Sequence, residues 1–279
     1  MKARPRTQAQ SAISIDGSRW FLLNASPDLR QQVLSSADFV PPAGSRNSPI
    51  TSVILTSADV DAVMGLLHLR EFQPLHVFST IAVRRILCEE NSLFRVLARS
   101  NPPVKWETLP LDRLMPLTPP SPADKKGGLF CKAVSLNGTF PDYVSESLRN
   151  SLSPEEAVIG LTLVSKEKKL FYAPNLPGTG DHWLGCIEES DLAILDGTFW
   201  KDDELNSIQR GSKSARQMGH LPLWGDRGLL RQPFRPGKTR RVLIHINNTN
   251  PVLNEESPES RIVRDAGWEI AYDGMEFAI

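Results

Sequence analysis

An α/β sandwich with mixed sheets is the fold class this sequence predicts, and three observations lead to it. Apolar runs of strand length alternate along the chain with segments of helical periodicity. At least two strand pairs are close enough in sequence to be hairpins, around Asp16-Gly17 and around residues 165–168. Three runs, Val53-Ile54-Leu55-Thr56, Leu192-Ala193-Ile194-Leu195 and Val242-Leu243-Ile244-His245-Ile246, show no polar alternation. That pattern suits strands covered on both faces.

In chain order, residues 11–23 (SAISIDGSRWFLL) read as a hairpin. Ser26-Pro27 then supplies an N-cap and a first helical position for a helix over 29–34. Residues 40–49 are loop, and 50–56 a strand. Val60, Val63, Met64 and Leu67 fall at helical spacing and predict one apolar face. A strand over 75–78 precedes an amphipathic helix over 81–98. Proline density marks 101–128 as a surface segment with one or two short strands and a mobile stretch near 117–128. Residues 130–134 alternate as a strand, and 137–156 read as a long loop of lid length. A hairpin over 157–172, a loop over 174–180 and the strand ending at Asp196 follow. The last strand, a turn, a helix near 258–266 and a closing hairpin around Asp273-Gly274 complete the reading. No internal repeat interrupts it, and one domain over 1–279 is expected.

Composition narrows the function. Hydrophobic residues make up 40% and charged residues 23%, with 32 basic side chains against 32 acidic ones. A balanced charge argues against a nucleic-acid partner, which calls for a basic excess. No apolar stretch approaches the roughly 20 residues of a membrane span, and the basic N-terminus lacks the apolar core of a secretory signal. Cys88, Cys131 and Cys186 are odd in number and far apart, so they read as buried small hydrophobes in a reducing compartment. The cytoplasm is the expected location.

The three apolar runs share one further property: each delivers an Asp or a His at its carboxyl end, where open α/β sheets bind ligands. Asp59 and Asp61 follow the first, Asp196 ends the second, and His245 lies in the third. Capping of a helix accounts for one of the Asp59–Asp61 pair, while the second repels the first unless a cation lies between them. Asp196-Gly197-Thr198 also reads as plain turn punctuation, and His245 as a hydrogen-bonded core residue. The convergence favours a site. Oxygen-rich ligands with one imidazole suit Fe(II) or Mn(II) more than a thiolate zinc centre does. His220 is a further candidate; His68, His76 and His182 read as helix-surface, strand and loop residues outside the site.

Six segments carry a resemblance: PRTQ (5–8), LLNASPDLRQQ (22–32), VDAVMGLLHLRE (60–71), DGTFWKDDEL (196–205), MGH (218–220) and LIHINNTNPVLNE (243–255). They closely resemble the B protein family of pyrroloquinoline quinone (PQQ) biosynthesis, in register from about residue 4 to the C-terminus. The resemblance implies a metallo-β-lactamase-like αββα sandwich, two mixed sheets back to back with helices outside. It implies a metal-dependent oxygenase or hydroxylase acting on the tyrosine part of a peptide-derived precursor. Carrier or transport of PQQ or its precursor is the alternative. Carried across, Asp59, Asp61, Asp196 and His245 become metal ligands, Asp61 and His220 catalytic groups, and His220 a ligand or proton shuttle. Asn247 and Asn248 are expected to hold substrate carboxylates. Fe(II) is the expected metal, with Mn or Zn as alternatives. PQQ or its precursor and other PQQ-biosynthesis proteins are the expected partners, and a homodimer is left open.

Two departures bear on this. Where the family motif ends Asp-His, this chain reads Asp61-Ala62, so one imidazole is replaced by a methyl group. The family also opens with a strand, a glycine-rich loop and a cysteine-rich zinc segment; this sequence starts after them, so the structural zinc site is expected to be absent from it.

Overall fold

The computed structural model describes residues 3–41, 44, 48–69, 74–117, 128–235 and 237–279. The chain divides into two compact units, one of residues 7–135 and 139–159, the other of residues 1–6, 136–138 and 160–279.

The first unit opens with β1 (Ser11–Ile13) and β2 (Trp20–Leu23), the antiparallel hairpin expected around Asp16-Gly17. Asp16 fixes the turn by accepting the backbone N–H groups of Ser18 and Arg19 and the Arg19 guanidinium. Helix α1 (Leu29–Ser35) covers the expected 29–34, but its N-cap is Asp28 and not Ser26. The Ser26 hydroxyl donates to Gln32 Oε1, so it is spent across the turn and does not cap. Strand β3 (Ile50–Ile54) follows, then α2 (Val60–Val63), β4 (His76–Ser79), α3 (Ile81–Arg85), α4 (Val96–Arg99) and β5 (Lys105–Thr108). The sheet runs β1-β2-β3-β4-β5, parallel from β2 onward and therefore mixed. Its β3 strand is buried almost throughout, as its uninterrupted apolar run requires.

Two expectations fail here. Helix α2 continues as 3-10 turns over Met64–Leu69, and its buried face is Ala62, Val63 and Leu66, with Val60 exposed. The expected single helix over 81–98 is broken: a π-helical turn over Ile86–Glu90 ends at Asn91, whose extended backbone halts the spiral. The Asn91 amide donates back to Ile86 O, a side chain replacing the missing turn. Strands β6 (Leu114–Pro116) and β7 (Phe130–Ser135) pair antiparallel; the stretch expected to be mobile near 117–128 falls on 118–127, outside the described residues. The long loop over 137–156 contains α5 (Glu146–Arg149), capped by Ser145.

The second unit runs β8 (Ile159–Ser165), β9 (Lys168–Ala173), α6 (Asp181–Glu188), β10 (Leu192–Asp196), α7 (Glu204–Ile208), β11 (Arg240–Ile244), α8 (Pro258–Asp265) and β12 (Trp268–Ile270). Strands β8 and β9 form the expected antiparallel hairpin, while β9, β10, β11 and β12 are parallel. This sheet too is mixed. Every residue of β10 is buried. Residue 182, expected in a loop, lies in α6. The closing hairpin does not form: β12 pairs parallel with β11, and Asp273-Gly274 turns into a tail without a returning strand. Among the cysteines only Cys131 is fully buried; burial pushes its thiol up to about 12. No helix among the described residues is long and apolar enough to cross a membrane.

Candidate metal centre

Register builds the site. Strands β10 and β11 run parallel with Asp196 opposite Ile244, so the first residue beyond β11, His245, emerges beside the last residue of β10. His245 is not inside the strand, as its apolar run suggests. Its φ of 60° is left-handed, a sparsely populated conformation for a residue with a Cβ, and it turns the chain off the sheet.

The two loops leaving these strands are stitched together. Gly197 N–H donates to Ile244 O at 2.7 Å, and an added Cβ at Gly197 would lie 3.1 Å from that oxygen and from the Leu243 side chain. A side chain would pry the loops apart. Asn247 N–H donates to Thr198 O, and the buried Asn250 amide donates to the carbonyls of both Gly197 and Thr198. The Glu204 carboxylate, buried at the start of α7, accepts Trp200 N–H with one oxygen and the Thr249 hydroxyl with the other.

His220 arrives on the long segment between α7 and β11. Leu221 N–H donates to Leu176 O, while Leu223 and Trp224 N–H donate to Phe199 and Trp200 O, so backbone bonds hold it on two sides. Its ring meets Phe199 edge-on at 5.7 Å and stacks with His245 at 5.3 Å.

At the centre lies Asp196, fully buried. Its Oδ1 accepts Thr198 N–H at 3.0 Å and the Thr198 hydroxyl at 2.5 Å. Its Oδ2 accepts Leu176 N–H at 2.9 Å and lies 2.8 Å from His220 Nδ1. The Thr198 hydroxyl also lies 2.8 Å from His245 Nδ1 and 3.1 Å from His220 Nδ1. Burial alone would raise the Asp196 carboxyl; the charge and hydrogen bond of His220, the charge of His245 and the Leu176 N–H outweigh it and hold it below the ordinary carboxylate range.

The structure thus brings together three of the expected residues, Asp196, His220 and His245, whose ligand atoms lie within 4.8 Å of one another. Two imidazoles backed by a buried carboxylate are a donor set that divalent transition metals take, with the carboxylate orienting the rings. On the same loop as Leu176, the buried Oδ1 of Asn175 has no hydrogen-bond partner among the described residues. It would lie 3.9 Å from a Cβ at Gly219, beside His220. A buried orphan acceptor calls for an ion or a water. The residues present fit a metal.

The remaining candidates are placed as follows. Asp59 and Asp61 belong to the other unit, at the N-cap and first turn of α2; Asp59 accepts the Ser57 hydroxyl at 2.7 Å. Ala62 is buried in α2. Asn247 folds on itself, its amide donating to Thr249 Oγ1 and its carbonyl accepting Asn248 N–H, whereas Asn248 is exposed. Thr198, Asn175 and Glu204 were not singled out by sequence reasoning. A hydroxyl two residues beyond a buried carboxylate is the one signal that could have marked Thr198.

A family model described as β-lactamase superfamily domain matches residues 19–246. Coenzyme PQQ synthesis protein B of Xanthomonas oryzae pv. oryzae is 36% identical over 281 residues, covering 99% of this chain and 89% of that protein. The same-named protein of Methylorubrum extorquens is 36% identical over 274 residues, covering 98% and 88%. Among solved structures, Zn(2+)-bound PqqB from Methylobacterium extorquens superposes with a TM-score of 0.87 at 35% identity, covering 99% of this chain and 89% of that one. The metallo-β-lactamase fold protein YhfI from Bacillus subtilis gives 0.60 at 13% identity over 98% and 93%, a likeness of fold alone. The fold is the metallo-β-lactamase fold, with two mixed sheets and helices, as expected from the sequence.

Proposed function

Because this chain belongs to the coenzyme PQQ synthesis protein B family, we propose that it serves PQQ biosynthesis as a metal-dependent oxygenase or hydroxylase of the tyrosine-derived precursor. The observation that carries the proposal is the meeting of Asp196, His220 and His245 at the ends of β10 and β11 and on the strap from α7. A divalent metal is supported by the fold, by the zinc-bound relative and by this donor set. Fe(II) is our choice for the working ion.

In this reading His220 and His245 hold the metal; Asp196, expected as a ligand, has both oxygens engaged by protein donors, and we assign it instead to orienting His220 and raising its basicity through the bond to Nδ1. The bound ion supplies the reactivity toward O2 that no side chain possesses. His220, buried and edge-packed on Phe199, excludes water on its side of the site. Asp59 and Asp61 keep the ligand role, and Asp61 the catalytic role, that the family resemblance implies; metal content and turnover of Asp59→Asn and Asp61→Asn chains test them. Asn248, exposed on the turn after β11, and Asn247 remain our candidates for holding a substrate carboxylate. We place the reaction in the cytoplasm, with the precursor and other PQQ-biosynthesis proteins as partners.

The buried Ala62 favours a second reading, a carrier of PQQ or its precursor in which the metal motif has lapsed. The test is an anaerobic load with Fe(II) followed by 18O2 and a tyrosine-containing precursor, read by mass. Incorporation of labelled oxygen that depends on the metal supports the oxygenase. Tight binding of PQQ without incorporation supports the carrier and overturns the enzyme.

A further inference from the structure

The Thr198 hydroxyl is a meeting point of three ionisable groups, and hydrogen-bond accounting fixes where its proton goes. It lies 2.5 Å from Asp196 Oδ1, 2.8 Å from His245 Nδ1 and 3.1 Å from His220 Nδ1. A hydroxyl has one proton to give and two lone pairs to accept with. An ionised carboxylate only accepts. If the hydroxyl proton were turned to His245, two oxygens would face each other at 2.5 Å with no proton between them, which the short contact forbids. The proton therefore goes to Asp196 Oδ1, and the Thr198 oxygen is left as an acceptor. Both imidazole nitrogens that face it must then be N–H groups. The His245 Nδ1–H donates to Thr198, whereas the His220 Nδ1–H is shared between Asp196 Oδ2 at 2.8 Å and Thr198.

We infer that Thr198 is a positioning residue that holds His220 and His245 in the Nδ1–H tautomer, so that each ring presents Nε2 as its ligand atom. The inference deepens the proposed metal site and takes from it only the purpose of the tautomer. Thr198 can do this because it is itself immobilised: its carbonyl accepts from Asn250 and Asn247, and its own N–H is bound to Asp196. Its β-branch restricts χ1, so the hydroxyl is held at the meeting point with little rotational freedom. The buried carboxylate then serves the two histidines differently. It contacts His220 directly and reaches His245 through the hydroxyl, its Oδ1 lying 4.0 Å from His245 Nδ1. A loss of the hydroxyl should therefore shift the tautomer balance of His245 more than that of His220, which keeps its direct bond to the carboxylate.

The experiment uses the full chain labelled with 15N-histidine, stripped of metal by chelation and held at about pH 8.5, where free imidazole is neutral. The chain has five histidines, so single His→Gln substitutions assign the spectrum. Long-range 1H–15N correlations report the tautomer of each ring. The wild-type chain should show Nδ1–H for both His220 and His245, and Thr198→Ser should keep both. Thr198→Val should move His245 to a mixture or to Nε2–H while His220 keeps its pattern, and should weaken Zn(II) binding about 10- to 100-fold. Nε2–H at either ring in the wild-type chain overturns the inference, as does a Thr198→Val chain with both patterns and Zn(II) affinity unchanged. If Thr198→Val does not fold, the wild-type and Thr198→Ser spectra decide. If the wild-type chain takes up no Zn(II) yet shows both Nδ1–H patterns, the metal proposal fails while the assignment of Thr198 stands.

Discussion

Asp196→Asn removes a charge and keeps a shape, so it isolates what the buried carboxylate does for the fold. The carboxylate accepts from two backbone N–H groups, a hydroxyl and an imidazole, all of its acceptor positions being turned to protein donors. An amide in its place has only one oxygen. If the new NH2 faces Thr198, it meets another N–H; if it faces Leu176, it meets the N–H of that residue and the His220 ring. Either way a pair of charge-assisted bonds is lost and at least one buried N–H is left without an acceptor. Relief from burying the charge offsets part of this, and the net loss should be about 3–5 kcal/mol. At about 2.1 cal/mol/K per residue, 279 residues give an unfolding entropy of about 0.6 kcal/mol/K, so the midpoint should fall by about 5–9 °C. The assay is thermal unfolding followed by circular dichroism in excess chelator, so that metal binding contributes nothing. Asp265→Asn, an exposed carboxylate at the end of α8, is the control and should change stability by no more than about 0.5 kcal/mol. A midpoint for Asp196→Asn within about 1 °C of wild type would refute the account of a carboxylate whose every acceptor position is filled.

Gly65 offers a test remote from the metal centre. A Cβ there would lie 2.3 Å from Ser26 O and 2.8 Å from Ala25 C, both backbone atoms that cannot swing aside. Gly65→Ala should cost about 4 kcal/mol or more, or prevent folding, measured by urea unfolding; a loss under about 1 kcal/mol would show that the two segments separate easily. Tyr143 should resist ionisation. Burial and the charges of Asp59 and Glu90 push its phenol up to about 12, and its hydroxyl donates to Ala58 O. The folded chain therefore keeps a proton that the unfolded chain releases near the ordinary value, so stability falls as pH rises from about 10 to about 12. With three tyrosines in the chain, alkaline absorbance titration of wild type and Tyr143→Phe resolves the step, and ionisation of Tyr143 near the ordinary value would sink the prediction.

What was legible in the sequence was the part written in side-chain period. Uninterrupted apolar runs identified β3, β10 and β11, and Asp16-Gly17 identified the first hairpin, because burial and turn geometry act on the residues that display them. Asp196 and His245 were visible for the same reason, at the ends of runs that become neighbouring parallel strands. Interactions between distant positions were not legible. Nothing local to Thr198 says that residues 196, 220 and 245 will converge on its hydroxyl, and Asp196-Gly197-Thr198 reads equally well as a turn. The helix over 81–98 has the right period yet breaks at Asn91, since periodicity records which face is buried and not whether each hydrogen bond closes at the α spacing. Val60 shows the converse: apolar and correctly spaced, it is nonetheless exposed, because the close approach of Gly65 to Ala25 and Ser26 sets which face of that helix turns inward. The closing hairpin failed for a similar reason. Residues 268–270 pair parallel with β11, and the tail after Asp273-Gly274 does not return along the outer edge of β12, a long-range choice that the local turn signal does not record.

Metal uptake tests the central claim most directly. Titration of the metal-free chain with Zn(II) in a calorimeter, and with Fe(II) under anaerobic conditions, should show near-stoichiometric binding in the wild type. His220→Ala and His245→Ala should each lose most of it while remaining folded by circular dichroism. Retention of full affinity in both variants, or no uptake of either ion by the wild-type chain, would contradict a centre built on these two imidazoles.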